Sequence, residues 1–76
     1  MIMINLTELN DIDGYVKIQC ADGENIIGRV YAIEDYTVTG IGETGVLLTT
    51  LNGIDLCLGV SEISSFEPYE LVMKIS

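Results

Sequence analysis

From Tyr15 onward the apolar residues of this chain recur at every second position, and the stretch before it has the marks of a short helix. Asn5 precedes Leu6-Thr7-Glu8-Leu9-Asn10, and the Asn5/Glu8 spacing lets each side chain satisfy a free amide of a first helical turn. One or two turns are predicted, ending near Asn10, with Asp11 to Gly14 as a turn. A rival reading makes Met1 to Ile4 an edge strand, which their β-branched content supports equally. In the next segment Val16, Ile18 and Cys20 fall on one side and Tyr15, Lys17 and Gln19 on the other, the signature of a half-buried strand. Asp22-Gly23 then predicts a hairpin, because glycine accepts the positive φ that a tight reversal demands. The returning strand, Ile26 to Ile33, carries Gly28 in its interior, which marks a sharp bend or a close backbone approach.

After Glu34 and Asp35, the glycines at 40, 42 and 45 predict a long, mobile connection rather than a strand beyond Thr39. Val46 to Leu51 resumes as a strand, Asn52-Gly53 suits a two-residue type I′ turn, and Ile54 to Val60 returns. That turn would set Leu51 against Ile54, Thr49 against Leu56 and Leu47 against Leu58, giving one apolar face, with Thr50, Asp55 and Cys57 on the wetter side. Ser61-Glu62-Ile63 reads as a tight turn. Ser64 to Glu67 reads as a last short strand stopped by Pro68, and Leu71 to Ile75 as a further apolar edge strand. Short strands, tight reversals and a mid-strand glycine predict a mainly β fold: a strongly bent five-stranded small barrel in a single domain, with a short N-terminal helix.

Composition narrows the function classes. A chain of 76 residues, 49% hydrophobic, has room for one core only, since a fold of this size buries about 60% of its unfolded surface. Twelve acidic side chains face only Lys17, Arg29 and a third cation at position 74, for a net charge of −9. Affinity for phosphate backbones comes from clustered Lys and Arg, and anionic membranes attract the same clusters, so direct nucleic-acid and membrane binding are both disfavoured. No apolar run approaches the roughly 20 residues of a membrane span. Met1 to Ile4 is too short for a signal-peptide core, and the expected location is the cytoplasm, with Cys20 and Cys57 as reduced thiols.

Histidine is absent, which removes the commonest general base and the commonest transition-metal ligand. No triad can be assembled around Ser61, Ser64 or Ser65, and the chain is expected not to be an enzyme and to carry no cofactor. Glu34, Asp35, Asp22, Glu24 and Glu43 match no cation-binding loop and read as solvated acids. Gly40-x-Gly42-x-x-Gly45 has phosphate-loop spacing in the wrong setting, because the segment from Val46 is β-patterned rather than helical. By parity Tyr15 and Tyr31 face away from the core set. With Tyr36, Glu34, Asp35 and Glu43 they form the candidate protein-contact set, although packing of the tyrosines against the helix would explain them as well.

The residues Val16-x-Ile18-x-x-x-Asp22-Gly23-x-x-Ile26-x-Gly28-x-Val30-x-Ala32-Ile33-Glu34 resemble the first motif of Sm-like proteins. The resemblance implies an N-terminal helix ahead of a five-stranded SH3-like barrel, and a ring or dimer formed by pairing strand edges. It departs where Sm-like RNA binders carry their contacts. Tyr36-Thr37-Val38 stands in place of a Met-Asn pair, and Val60-Ser61-Glu62-Ile63 in place of a basic residue followed by glycine, so neither RNA-contacting element transfers. The leading expectation is therefore a small acidic binding module that assembles with itself or with a protein partner. Two others stand beside it: an inhibitor of phage or mobile-element type whose acidic surface mimics nucleic acid, and a small-ligand or nucleotide carrier.

Overall fold

A computed structural model of the chain describes residues 5–70. The readings of Met1 to Ile4 and of Leu71 to Ile75 as edge strands lie outside the described residues.

Helix α1 runs Leu6–Asp11, with Asn5 as its N-cap accepting the Glu8 amide at 3.1 Å. Its buried residue, Leu9, enters the core. The strands are β1 (Tyr15–Cys20), β2 (Asn25–Glu34), β3 (Gly45–Thr50), β4 (Asp55–Gly59) and β5 (Ile63–Tyr69). All pairings are antiparallel in one sheet, in the order β4-β3-β2-β1-β5. The inner face buries Leu9, Val16, Ile18, Cys20, Val46, Leu48 and Ile63, with Ile26, Val30, Ile33, Leu56, Leu58 and Phe66 packed around them. The fold is thus mainly β, with the expected helix first.

The sheet is strongly curved but does not close. Only Val60–Glu62, a 3-10 turn, joins β4 to β5, which stand at opposite ends of the strand order. In a flat sheet those edges would lie about 19 Å apart, four strand spacings. The chain from Gly59 to Ile63 reaches at most about 14 Å, so the sheet must curl. Bulges at Gln19/Cys20 and Val30/Ala32 supply part of that bend. Among the described residues no ladder joins β4 to β5, and the expected barrel is corrected to an open sheet. Two donors that a closing ladder could draw on are missing: Gly59 N–H donates to the Glu62 carboxylate at 3.0 Å, and Pro68 has no N–H.

Three local expectations are also corrected. The β3–β4 reversal is not a type I′ turn. Among the described residues only glycines have positive φ, so Asn52 cannot occupy the first central position of that turn, and a three-residue loop Leu51-Asn52-Gly53 forms instead. Gly53 N–H donates to the Thr50 carbonyl (2.9 Å) and Thr50 N–H to the Ile54 carbonyl (2.8 Å). The register therefore slips by one, to Leu48↔Leu56, Val46↔Leu58 and Leu47↔Cys57. Val46 and Leu48 turn inward and Leu47 outward, because side chains alternate along a strand. The β1–β2 hairpin uses the same loop, with Gly23 N–H on the Cys20 carbonyl and Cys20 N–H on the Glu24 carbonyl.

The connection after β2 contains a short helix and several hydrogen bonds. Asp35 caps a short helix α2 (Tyr36–Thr39) by accepting the Thr37 amide, and Gly40 ends it in the left-handed region. Thr39 Oγ1 donates to the Glu43 carbonyl at 2.8 Å, and Val60 N–H to the Thr44 carbonyl at 3.0 Å. Finally, Pro68 does not stop β5 but lies within it, opposite Val16. Cys20 N–H points toward β2, so by alternation the Val16 amide and carbonyl do too, and the Val16–Pro68 pair exchanges no bonds. The missing N–H therefore falls on the free side of an edge strand, where proline is tolerated.

Candidate functional site

Among the described residues the open sheet has two backbone edges, β4 and β5, and alternation fixes which groups they present. Thr50 and Ile54 bond across the β3–β4 pair, so Leu56 and Leu58 turn their amides to β3, and Asp55, Cys57 and Gly59 turn theirs outward. Gly59 N–H is capped by Glu62, which leaves the Asp55 and Cys57 amides as the β4 donors. On β5 the groups facing outward belong to Ser64, Phe66 and Pro68, since Lys17↔Glu67 and Gln19↔Ser65 use the inward side.

The candidate contact residues lie on β1, β2, α2 and the loop that follows it, and none is on the edge strands β4 and β5. Tyr31 is the extra residue of the β2 bulge. That bulge lets both Val30 and Ile33, three positions apart, face the core, and it pushes Tyr31 into solvent at 57% exposure. Tyr36, on α2, is 63% exposed. Tyr15 is half-buried and pairs with Tyr69 across β1 and β5. Glu34 closes β2 opposite Gly45.

Two of the acids have structural work. Asp35 accepts from both the hydroxyl and the amide of Thr37, and those bonds, the hydroxyl first, hold its carboxyl below the usual range. Glu43 accepts the Ser61 hydroxyl at 2.7 Å and the Ser61 amide at 2.8 Å, which likewise lowers its pKa. Its side chain lies over Gly59, where an added Cβ would come within 2.5 Å of it. Glu43 thus clamps the Gly40–Thr44 loop onto the turn between β4 and β5.

A feature with no warning in the sequence forms where the β1–β2 hairpin meets that turn. Ala21 N–H donates to the Glu62 carbonyl at 2.8 Å, joining residues some forty positions apart. Between them is a pocket of about 350 Å³ with Cys20, Ile26 and Leu58 in its lining and Asp22, Glu24 and Glu62 at its rim. Burial pushes the Cys20 thiol up, reinforced by the charges of Asp22, Glu24 and Glu62, so the group stays protonated at neutral pH. The acids of the hairpin tip are legible in the sequence, but nothing there announces that Glu62 joins them. Both cysteines are free, Cys20 on the inner face and Cys57 exposed on the outer face of β4.

Among the described residues no three acidic, cysteine or histidine side chains converge on a point able to hold a metal ion. None of the described helices is long and apolar enough to cross a membrane. Comparison with protein families, with curated proteins and with solved structures gives no match.

Proposed function

We propose that the chain is a non-catalytic assembly module of Sm-like type, which pairs the free edge of β4 with the free edge of β5 on a second copy. The observation that carries this reading is the pair of edges that no strand among the described residues covers. The outward amides of Asp55 and Cys57 and the outward groups of Ser64 and Phe66 lie on opposite ends of one curved sheet. Exposed edges of this kind recruit further strands, and head-to-tail pairing satisfies both at once. The helix-first order and the curved five-stranded sheet support the Sm-like assignment. Tyr31 and Tyr36 supply exposed aromatic area for further protein contacts. Two free thiols and the lack of a long apolar helix among the described residues accord with a cytoplasmic setting. The nucleic-acid-mimic reading needs acids gathered on one face, whereas Asp35 and Glu43 are engaged in capping and clamping and Asp55 lies on another strand.

Light scattering coupled to size exclusion tests the reading. The wild-type chain is expected to run as an oligomer, and Cys57→Pro as a monomer that keeps its β-type circular dichroism, because the lost N–H faces away from β3. Ser64→Pro provides the same test from the β5 side. A wild-type chain that stays monomeric at about 0.5 mM, where edge pairing of even modest affinity would register, overturns the proposal.

A further inference from the structure

The pocket between the β1–β2 hairpin and the 3-10 turn is chemically two-sided. Its interior is apolar, with Ile26 and Leu58 beside a Cys20 that is only 8% exposed, and no hydrogen bond among the described residues reaches the Cys20 thiol. Its rim is anionic. Asp22 Oδ1 accepts the Glu24 amide and Glu62 Oε2 accepts the Gly59 amide. No hydrogen bond among the described residues takes Asp22 Oδ2, Glu62 Oε1 or either oxygen of Glu24. No Lys or Arg among the described residues is in the lining. At about 350 Å³ the space sits at the lower end of ligand pockets, the size for one long side chain rather than a nucleotide.

We propose that this pocket receives a single long aliphatic cation from a partner protein, an arginine or lysine. The stem lies on the Cys20–Ile26–Leu58 floor and the head reaches Asp22, Glu24 and Glu62 at the rim. Long cationic side chains bury their methylenes on apolar surface and keep the charge at its edge. Charge-assisted bonds to carboxylates are the stronger class, and a guanidinium can engage two oxygens at once. An anion is repelled by the rim, and a neutral apolar group leaves the three carboxylates unanswered. The site is independent of the strand edges, so it stands or falls separately from the assembly reading.

The test is a titration of the full ¹⁵N-labelled chain, in whatever oligomeric state it adopts, with a doubly capped Gly-Gly-Arg-Gly-Gly peptide, followed by amide shifts. The matched probes replace the arginine by lysine, norleucine or glutamate. Shifts are expected to gather at residues 20–24, 26 and 58–62, with arginine or lysine and not with norleucine or glutamate. Glu24→Lys, on an exposed hairpin position that leaves the fold's spectrum intact, should weaken binding about tenfold, because one attraction becomes a repulsion. Raising salt from about 0.05 to 0.5 M should weaken it as well. Equal shifts with norleucine, shifts elsewhere on the sheet, an unchanged affinity in Glu24→Lys, or no shifts at all would each overturn the proposal.

Discussion

Gly28 tests the packing of the sheet most directly. It lies in the middle of β2, opposite Val16 on one side and Thr50 on the other. A Cβ built there would sit 2.6 Å from the Thr49 carbonyl oxygen and 2.8 Å from Leu48 Cδ1. Ordinary non-bonded contacts need about 3.5 Å, so β3 would have to retreat by most of an ångström. The Leu51 amide bonds the Ile27 carbonyl, so by alternation the Thr49 carbonyl is the ladder partner of Arg29, and the retreat would stretch that bond. Overpacking of this kind costs about 1–3 kcal/mol. Alanine recovers about 0.4–1 kcal/mol by restricting the unfolded chain. The net expectation for Gly28→Ala is a loss of about 1–2 kcal/mol, out of a total near 4–11 kcal/mol for a domain of this length. The melting temperature should fall by roughly 5–15 °C. Urea unfolding followed by circular dichroism at one fixed protein concentration reads the loss, since assembly makes apparent stability concentration-dependent. Gly45→Ala is the comparator. Its Cβ would meet the side chains of Cys57, Thr39 and Ile41 rather than backbone, and side chains give way more readily than a strand, so its loss should be the smaller. If Gly28→Ala proved as stable as the parent, the close approach of β2 and β3 would be refuted.

Leu48→Ala should cost about 2–5 kcal/mol, and Leu47→Ala under about 1 kcal/mol, because Leu48 is fully buried and Leu47 lies on the outer face. Denaturant curves that reversed this order would restore the type I′ register. Asp35 and Glu43 have carboxyls held below their ordinary range, so their contribution is complete at neutral pH. It should drain away as pH falls from about 5 through their folded values. Melting temperatures measured between pH 7 and 3 should therefore show a shallower acid limb in Glu43→Gln than in the parent, and parallel limbs would refute the clamp to Ser61.

The helix cap at Asn5, the alternation of β1 and the two glycine-led reversals were legible in the sequence, because each depends on neighbours within a few residues. The outward placement of Tyr31 was legible in the same way, from local parity along β2. The short helix α2 was missed because three glycines outweigh one capping aspartate in any local reading, whereas in the folded chain Glu43 finds Ser61, eighteen positions away. The β3–β4 register was missed because Asn52-Gly53 admits both a two-residue and a three-residue loop. Burial of Val46 and Leu48 is what the adopted register achieves, and that depends on the whole core.

The sequence by itself determined a β-rich chain with its helix first, no histidine chemistry and an anionic surface, since these follow from composition and from the two-residue period of a strand. Which strands are left as edges, whether the curved sheet closes, and that Asp22, Glu24 and Glu62 border one pocket were decided only by the tertiary structure. Edges and pockets are relations between residues far apart in the chain, and no local pattern encodes the distance between them.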